Sequence, residues 1–266
     1  MMTLSRDFSE MLREQIDYRE LLYQMTLRDL LLRYKQTAMG FGWAVFMPLV
    51  NTALFSVIFT RVTTVDTPVP YPLFAFSGFL VWNFFASALR FSVSSLTSNS
   101  NLVQKVYFPR EVFPFSAVLV GLVDLAVGAV VLAALMAYYR VLPTGTILFL
   151  PIVMLVSVAF TAGVALFLAM SNLFYRDVKY LFEVVITVWM FATSVVYPVK
   201  TVGGLLGTLL VMNPMTQIVE AYRAVLVYGQ MPDPVGFGAT AALSLVVLLG
   251  GWLAFHRAEF TFAENI

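Results

Sequence analysis

The chain has no cysteine and a single histidine, His256. Disulfides and thiolate metal sites are therefore excluded, and no pair of imidazoles at helical spacing exists to share a metal. Charge is scarce as well. Asp, Glu, Lys and Arg make up 12% of the residues, about half of what a soluble domain carries. No G-x-x-x-x-G-K-[ST] loop is present, so the chain lacks that means of holding a nucleotide. Neither a G-x-S-x-G motif nor two carboxylates within one apolar run is found, which leaves no catalytic residue to nominate. The expectation is a protein that is not an enzyme and that holds neither cofactor nor metal in its own chain.

What is present is apolar. Hydrophobic residues reach 60% and the mean hydropathy is +0.86. Several uninterrupted runs attain the roughly 20 residues that cross a hydrocarbon core. Barrel-type alternation is absent, so the crossing elements are helices, which satisfy their own backbone groups in lipid. The expected fold class is all-α integral membrane. Six transmembrane helices are predicted at about 41–60, 71–89, 113–139, 147–173, 181–197 and 236–255. Residues 1–40 precede them as a cytoplasmic amphipathic region, and 41–266 form the transmembrane domain. A cleavable signal peptide is not expected, because the first forty residues alternate charged and apolar positions.

Cations orient the chain. With an even number of crossings both termini share a side, and twelve of the sixteen Lys and Arg residues fall there. Only Arg61, Arg140, Lys200 and Arg223 fall opposite. The positive-inside rule then puts both termini in the cytoplasm of a multi-pass protein of the cytoplasmic (inner) membrane.

Residues 10–23 place Glu10, Arg13, Glu14, Asp17 and Glu20 on one helical arc and Met11, Leu12, Ile16, Tyr18, Leu22 and Tyr23 on the other. That pattern predicts an interface helix lying on the membrane or against a partner. Near the other end, "VGGLLGTLLVM" is too short to cross and is halted by Asn213-Pro214. "PMTQIVEAYRAVLVYG" follows as a second short helix, with Glu220 and Arg223 three residues apart. Both are expected as short re-entrant helices at the extracytoplasmic surface. Asp124 is the one ionisable residue deep in a predicted crossing, between Gly121 and Gly128. It bonds a neighbouring helix, or it transfers protons. His256, beside Arg257, reads as an interfacial anchor.

Five stretches, in order, resemble one family. "LRDLLLRYKQTAMGFGWAVFMPL", "NLVQKVYFPREVFPFS", "NLFYRDVKYLFEVVITVWMFATSVVYPV", "NPMTQIVEAYRAVL" and "FHRAEFTFAENI" are similar to segments of ABC-type polysaccharide export permeases. These are membrane subunits that export O-antigen, teichoic acid or capsule, and the likeness covers nearly all of residues 20–266. The resemblance implies a homodimer with the path between its subunits. It also implies two copies of a separate ATPase, which carry ATP and Mg. The cargo it implies is an undecaprenyl-diphosphate-linked glycan; no nucleic acid is involved.

For individual residues the resemblance implies four groups. Arg28, Arg33, Tyr34 and Lys35 would contact the lipid diphosphate or the ATPase, against a plain role as positive-inside anchors. Lys105, Tyr107, Phe108, Pro109, Arg110 and Glu111 would form a cytoplasmic gate or coupling element. Arg176 and Asp177 would face the ATPase. Asn213, Pro214, Glu220 and Arg223 would form the extracytoplasmic gate. An ion-coupled flippase acting alone is the competing reading, and it needs conducting acids in several crossings where Asp124 stands alone.

Overall fold

Helix ends follow local chemistry. The Asn213 and Asp233 side chains accept from the backbone N–H groups of Met215 and Gly236, each capping a helix that begins on proline. Another helix stops at Arg140, whose φ of 58° is left-handed, and Val141 N–H bonds back to Met136 O at 2.9 Å. The computed structural model describes residue 11 and residues 13–35, 37–59, 67–105, 108–199 and 202–262. These hold ten principal helices and no strand: α1 (Arg19–Tyr34), α2 (Gly42–Val57), α3 (Tyr71–Ser98), α4 (Ser100–Lys105), α5 (Val112–Tyr138), α6 (Leu150–Phe174), α7 (Val178–Phe191), α8 (Gly204–Met212), α9 (Pro214–Arg223) and α10 (Pro234–Ala258).

Among the described residues, four helices are long and apolar enough to cross a membrane: α3, α5, α6 with its 3-10 lead Gly145–Phe149, and α10 with its 3-10 extension Glu259–Thr261. α2 is a shorter apolar helix, and α7 has 14 residues, about 21 Å of rise. Burial sorts them into core and wall. The apolar window of α3 is 83% buried, that of α10 only 17%. α3 is thus the central rod, while α5, α6 and α10 turn side chains such as Val130, Leu155 and Val246 outward. Such bare apolar faces suit lipid. Lipid offers no hydrophobic drive between helices, so close approach must come from small residues. At Gly163 in α6 an added Cβ would stand 2.5 Å from Val247 O in α10, and at Gly251 it would stand 2.6 Å from Gly163 O.

The bundle has two distinct ends. Tyr18, Leu96, Val103, Phe108, Phe113, Leu173, Phe255 and Phe262 share a small second core at one of them, here termed the terminal end. At the far end Tyr71 OH donates to Val196 O (2.8 Å), Thr146 Oγ1 to Val225 O (3.0 Å), and the Phe149 ring meets Phe237.

Several predicted boundaries move. The segment expected at 71–89 continues helical to Ser98, because Ser95 and Thr97 bond carbonyls of their own helix and no Gly or Pro intervenes before Pro109. The segment expected at 181–197 starts earlier and leaves regular helix at Phe191, where the following carbonyls serve a buried guanidinium instead. Residue 60, expected at the end of the first segment, lies outside the described residues, as do residues 1–10, 12 and 36 of the N-terminal region.

Candidate functional site

α1 is fixed to the bundle through polar contacts. Arg33 Nη1 pairs with Asp124 Oδ2, midway along α5, and Arg33 Nη2 donates to Ser87 Oγ of α3 at 3.0 Å. The guanidinium also lies over the Phe91 ring, 3.7 Å from its centroid. Tyr34 OH donates to Asp124 Oδ1 at 2.5 Å. Burial and the Asp124 carboxylate push this phenol up to about 12, so it stays protonated and remains a donor. One turn earlier, Arg28 pairs with Asp29 at 2.7 Å, and Asp29 Oδ2 lies 2.8 Å from Ser116 Oγ. Lys35 is exposed. Of the four cationic-stretch candidates, then, Arg33 and Tyr34 converge on Asp124, while Arg28 and Lys35 stand apart.

The docking face differs from the apolar arc read in the sequence. Met11, Tyr18, Leu21 and Met25 pack inward, whereas Ile16 and Tyr23 are exposed. The true stripe runs through Met11, Glu14, Tyr18, Leu21, Met25, Asp29 and Arg33 at steps of three or four residues. Counting only apolar positions misplaced it, since three of its members are charged.

A second feature escaped the sequence reading. Asn83, Ser87, Arg90, Ser94 and Thr97, with Ser98 beside it, recur every three or four residues along α3, which is otherwise the most buried apolar helix. Arg90 Nε pairs with Glu183 of α7 at 3.2 Å, with side chains 48% and 53% exposed. The track borders three clefts, one of them shared by Ser94 and Ser98 with Arg28 and Asp29. A second, of about 310 Å³, takes in Arg33, Asn83, Ser87, Arg90 and Asp124. The third, of about 460 Å³ at the terminal end, takes in Ser94, Thr97, Ser98, Gln104, Arg176 and Lys179. The signal was the spacing of the polar residues, but Ser and Thr also suit turns, and the stretch was read as a connection.

The other terminal-end candidates divide. Lys105 is exposed at the end of α4, and Tyr107 lies outside the described residues. Phe108 and Pro109 are buried, with Phe108 edge-on to Phe113. Arg110 is bound to the C-terminal segment: Nη1 donates to Glu259 O at 2.9 Å and Nη2 to Val103 O at 3.2 Å. Glu111 is fully buried against His256 Nδ1, at 3.1 Å. His256, read in the sequence as an interfacial anchor, is buried and faces carboxylates. Arg176 and Asp177 are exposed in the loop between α6 and α7.

At the far end the candidates come together tightly. Arg223 is 0% exposed, and all five of its N–H donors are used. Nη1 donates to Ser194 O (2.5 Å) and Glu220 Oε1 (2.8 Å), Nη2 to Val195 O (2.6 Å) and Phe74 O (3.1 Å), and Nε to Ser77 Oγ (3.4 Å). Gly78 makes room: a Cβ there would stand 2.3 Å from Arg223 Nη2. Asn213 is equally committed. Its Oδ1 accepts from Trp189 Nε1 and Met215 N–H, and its Nδ2 donates to Ala192 O and Thr193 Oγ1. Pro214 opens α9 beside it. The Glu220–Arg223 pair is thus one part of a buried network and not an isolated surface bridge.

The sequence profile of the ABC-2 type transporter family matches residues 20–227. The chain belongs to the ABC-2 type transporter family. Among ABC-2 relatives, the O-antigen export system permease protein RfbA of Myxococcus xanthus is 30% identical over 258 residues, covering 96% of this chain and 99% of that protein. The protein of the same name from Klebsiella pneumoniae is 27% identical, over 92% and 94% of the two chains. The polysialic acid transport protein KpsM of Escherichia coli is 20% identical, over 88% and 91%. The ABC-2 match includes α1, so the docking of that helix on Asp124 belongs to the family region of this chain.

Proposed function

We propose that this chain is the permease subunit of an exporter that moves a lipid-diphosphate-linked polysaccharide, O-antigen in the first instance, across the cytoplasmic membrane. The observation that carries the reading is the polar track on α3, with its half-exposed Arg90–Glu183 pair. Charges at that depth are costly against lipid, so the face belongs to a water-filled passage. Hydroxyls and amides along it suit a glycan, and the adjoining cations Arg176 and Lys179 suit its diphosphate. The names of the relatives favour O-antigen, and KpsM gives capsule as the second reading.

In this reading α2, α3, α5, α6, α7 and α10 make six crossings, and α8 with α9 turn back at the outer surface. Support comes from the chain alternating between the terminal and far ends, and from the cation bias that makes the terminal end cytoplasmic. Two copies enclose the passage, and two ATPase subunits drive it from below. Exposed Lys35, Lys105, Arg176 and Asp177 meet the ATPase. The stretch from Lys105 to Glu111 couples or gates at that side, while Asn213, Pro214, Glu220 and Arg223 brace the outer gate. Asp124 acts as a docking point for Arg33 and Tyr34, its charge engaged by the guanidinium, which disfavours a solitary ion-coupled flippase.

The test is reconstitution of the chain with its ATPase in vesicles bearing lipid-linked glycan. Transport should need ATP and both subunits. Arg90→Ala with Glu183→Ala should leave assembly intact and lower transport at least about tenfold, the scale of a lost charged contact. Transport by the permease alone, or transport indifferent to both substitutions, contradicts the reading.

A further inference from the structure

Five side chains from three separate stretches meet at the terminal end: Glu14 ahead of α1, Arg110 and Glu111 at the start of α5, and His256 and Glu259 at the end of α10. Three carboxylates face one ring nitrogen. His256 Nδ1 lies 3.1 Å from Glu111 Oε1, 3.8 Å from Glu14 Oε2 and 3.9 Å from Glu259 Oε2. Ligand atoms on a tetrahedral zinc, with bonds of about 2.0–2.1 Å, stand about 3.3 Å apart. The observed separations bracket that edge. One imidazole nitrogen with carboxylate oxygens is a donor set for a divalent first-row transition cation.

Two features lift this above a chance gathering of acids. Glu111 is 1% exposed, and its Oε2 has no hydrogen-bond partner. An orphaned carboxylate oxygen in a buried site is costly, and a cation supplies the missing partner. Glu259 is held by its other oxygen. Arg110 backbone N–H donates to Oε1 at 2.9 Å and the guanidinium lies 3.6 Å away, which leaves Oε2 toward the ring. Outer contacts of this kind orient carboxylates that bind metals.

We propose that Glu14, Glu111 and His256, with Glu259 as fourth donor, bind a divalent transition cation of the zinc class. The ion staples the segment before α1 to the start of α5 and to the C-terminal end of α10. This departs from the expectation of a chain without metal, which rested on the spacing of ligands in the sequence. Here the donors are brought together by the fold, 97 residues apart at the least; Glu14 and Glu111 are the closest pair across the three stretches.

The full-length chain, purified in detergent micelles and stripped with chelator, is titrated with Zn²⁺ and separately with Mg²⁺ against a chromophoric competitor. Thermal unfolding is followed with and without Zn²⁺. One zinc per chain is expected, bound at least about tenfold more tightly than magnesium, with a higher Tm when zinc is present. Glu14→Gln keeps the shape of a half-buried side chain on the outermost stretch, and His256→Ala removes the nitrogen donor. Each should weaken zinc binding at least about tenfold and abolish the zinc-dependent rise in Tm. Glu14→Gln decides the matter if His256→Ala fails to fold. Substoichiometric zinc on the wild-type chain, or affinity unchanged by Glu14→Gln, overturns the proposal.

Discussion

Arg33 and Asp124 sit with 12% and 15% of their side chains exposed, too deep for either charge to stand alone. Removing one partner of such a pair costs about 3–5 kcal/mol, because the survivor stays buried and uncompensated. Asp124→Leu should therefore lower the Tm of the purified chain sharply, and Arg33→Met combined with it should restore most of the loss. A thermal-unfolding double-mutant cycle reads the coupling directly, and additive effects of the two substitutions would refute the pairing. Asp124 was conspicuous in the sequence as a lone acid in an apolar run. Its partner was not legible, because 91 residues separate the two and only the fold brings them together. Arg223 illustrates the same limit. Its spacing from Glu220 was visible, but the three carbonyls that complete its network come from elements far along the chain.

At the scale of elements, α3 does two jobs that pull its sequence in different directions. As the central rod it must bury apolar side chains on most of its surface, and as the wall of the proposed passage it must keep one polar stripe. Ser87→Leu together with Ser94→Leu should leave the helix intact, since leucine is at least as good a helix former as serine. Transport should fall at least about tenfold as the stripe turns apolar, a change of about 1.4 kcal/mol or more in the cargo's passage. Normal transport by a well-folded double variant would remove the stripe from the pathway. The apolar half of α3 was legible from composition alone. Its C-terminal extension was not, because serines and threonines that bond their own helix's carbonyls look like a loop when read singly. For α1 the error was of a different kind. Hydrophobic periodicity assumes that a helix docks by its apolar face, and this one docks through Asp29 and Arg33 as well.

At the scale of the molecule, the class of protein was written in its hydropathy, whereas the sidedness rests on a count of cations. The natural absence of cysteine makes sidedness simple to probe, since any thiol introduced is the only one. Lys105→Cys at the terminal end should react with a membrane-impermeant maleimide only in inverted vesicles. Met231→Cys, on the exposed connection between α9 and α10, should react in intact spheroplasts. The reverse pattern would invert the orientation, and labelling of both from one side would break the alternation on which six crossings depend.

The five-donor knot at Arg223 carries a mechanical consequence. It ties α3, the unwound tail of α7 and α9 to a single guanidinium with no proton left to trade for a new acceptor. Sliding any one of these pieces past the others would strand several acceptors in the dry interior. If this rim is the proposed outer gate, it must swing as one piece with its pivots outside the knot, and Gly229, left-handed at φ 63° just past it, is the place where the chain would bend.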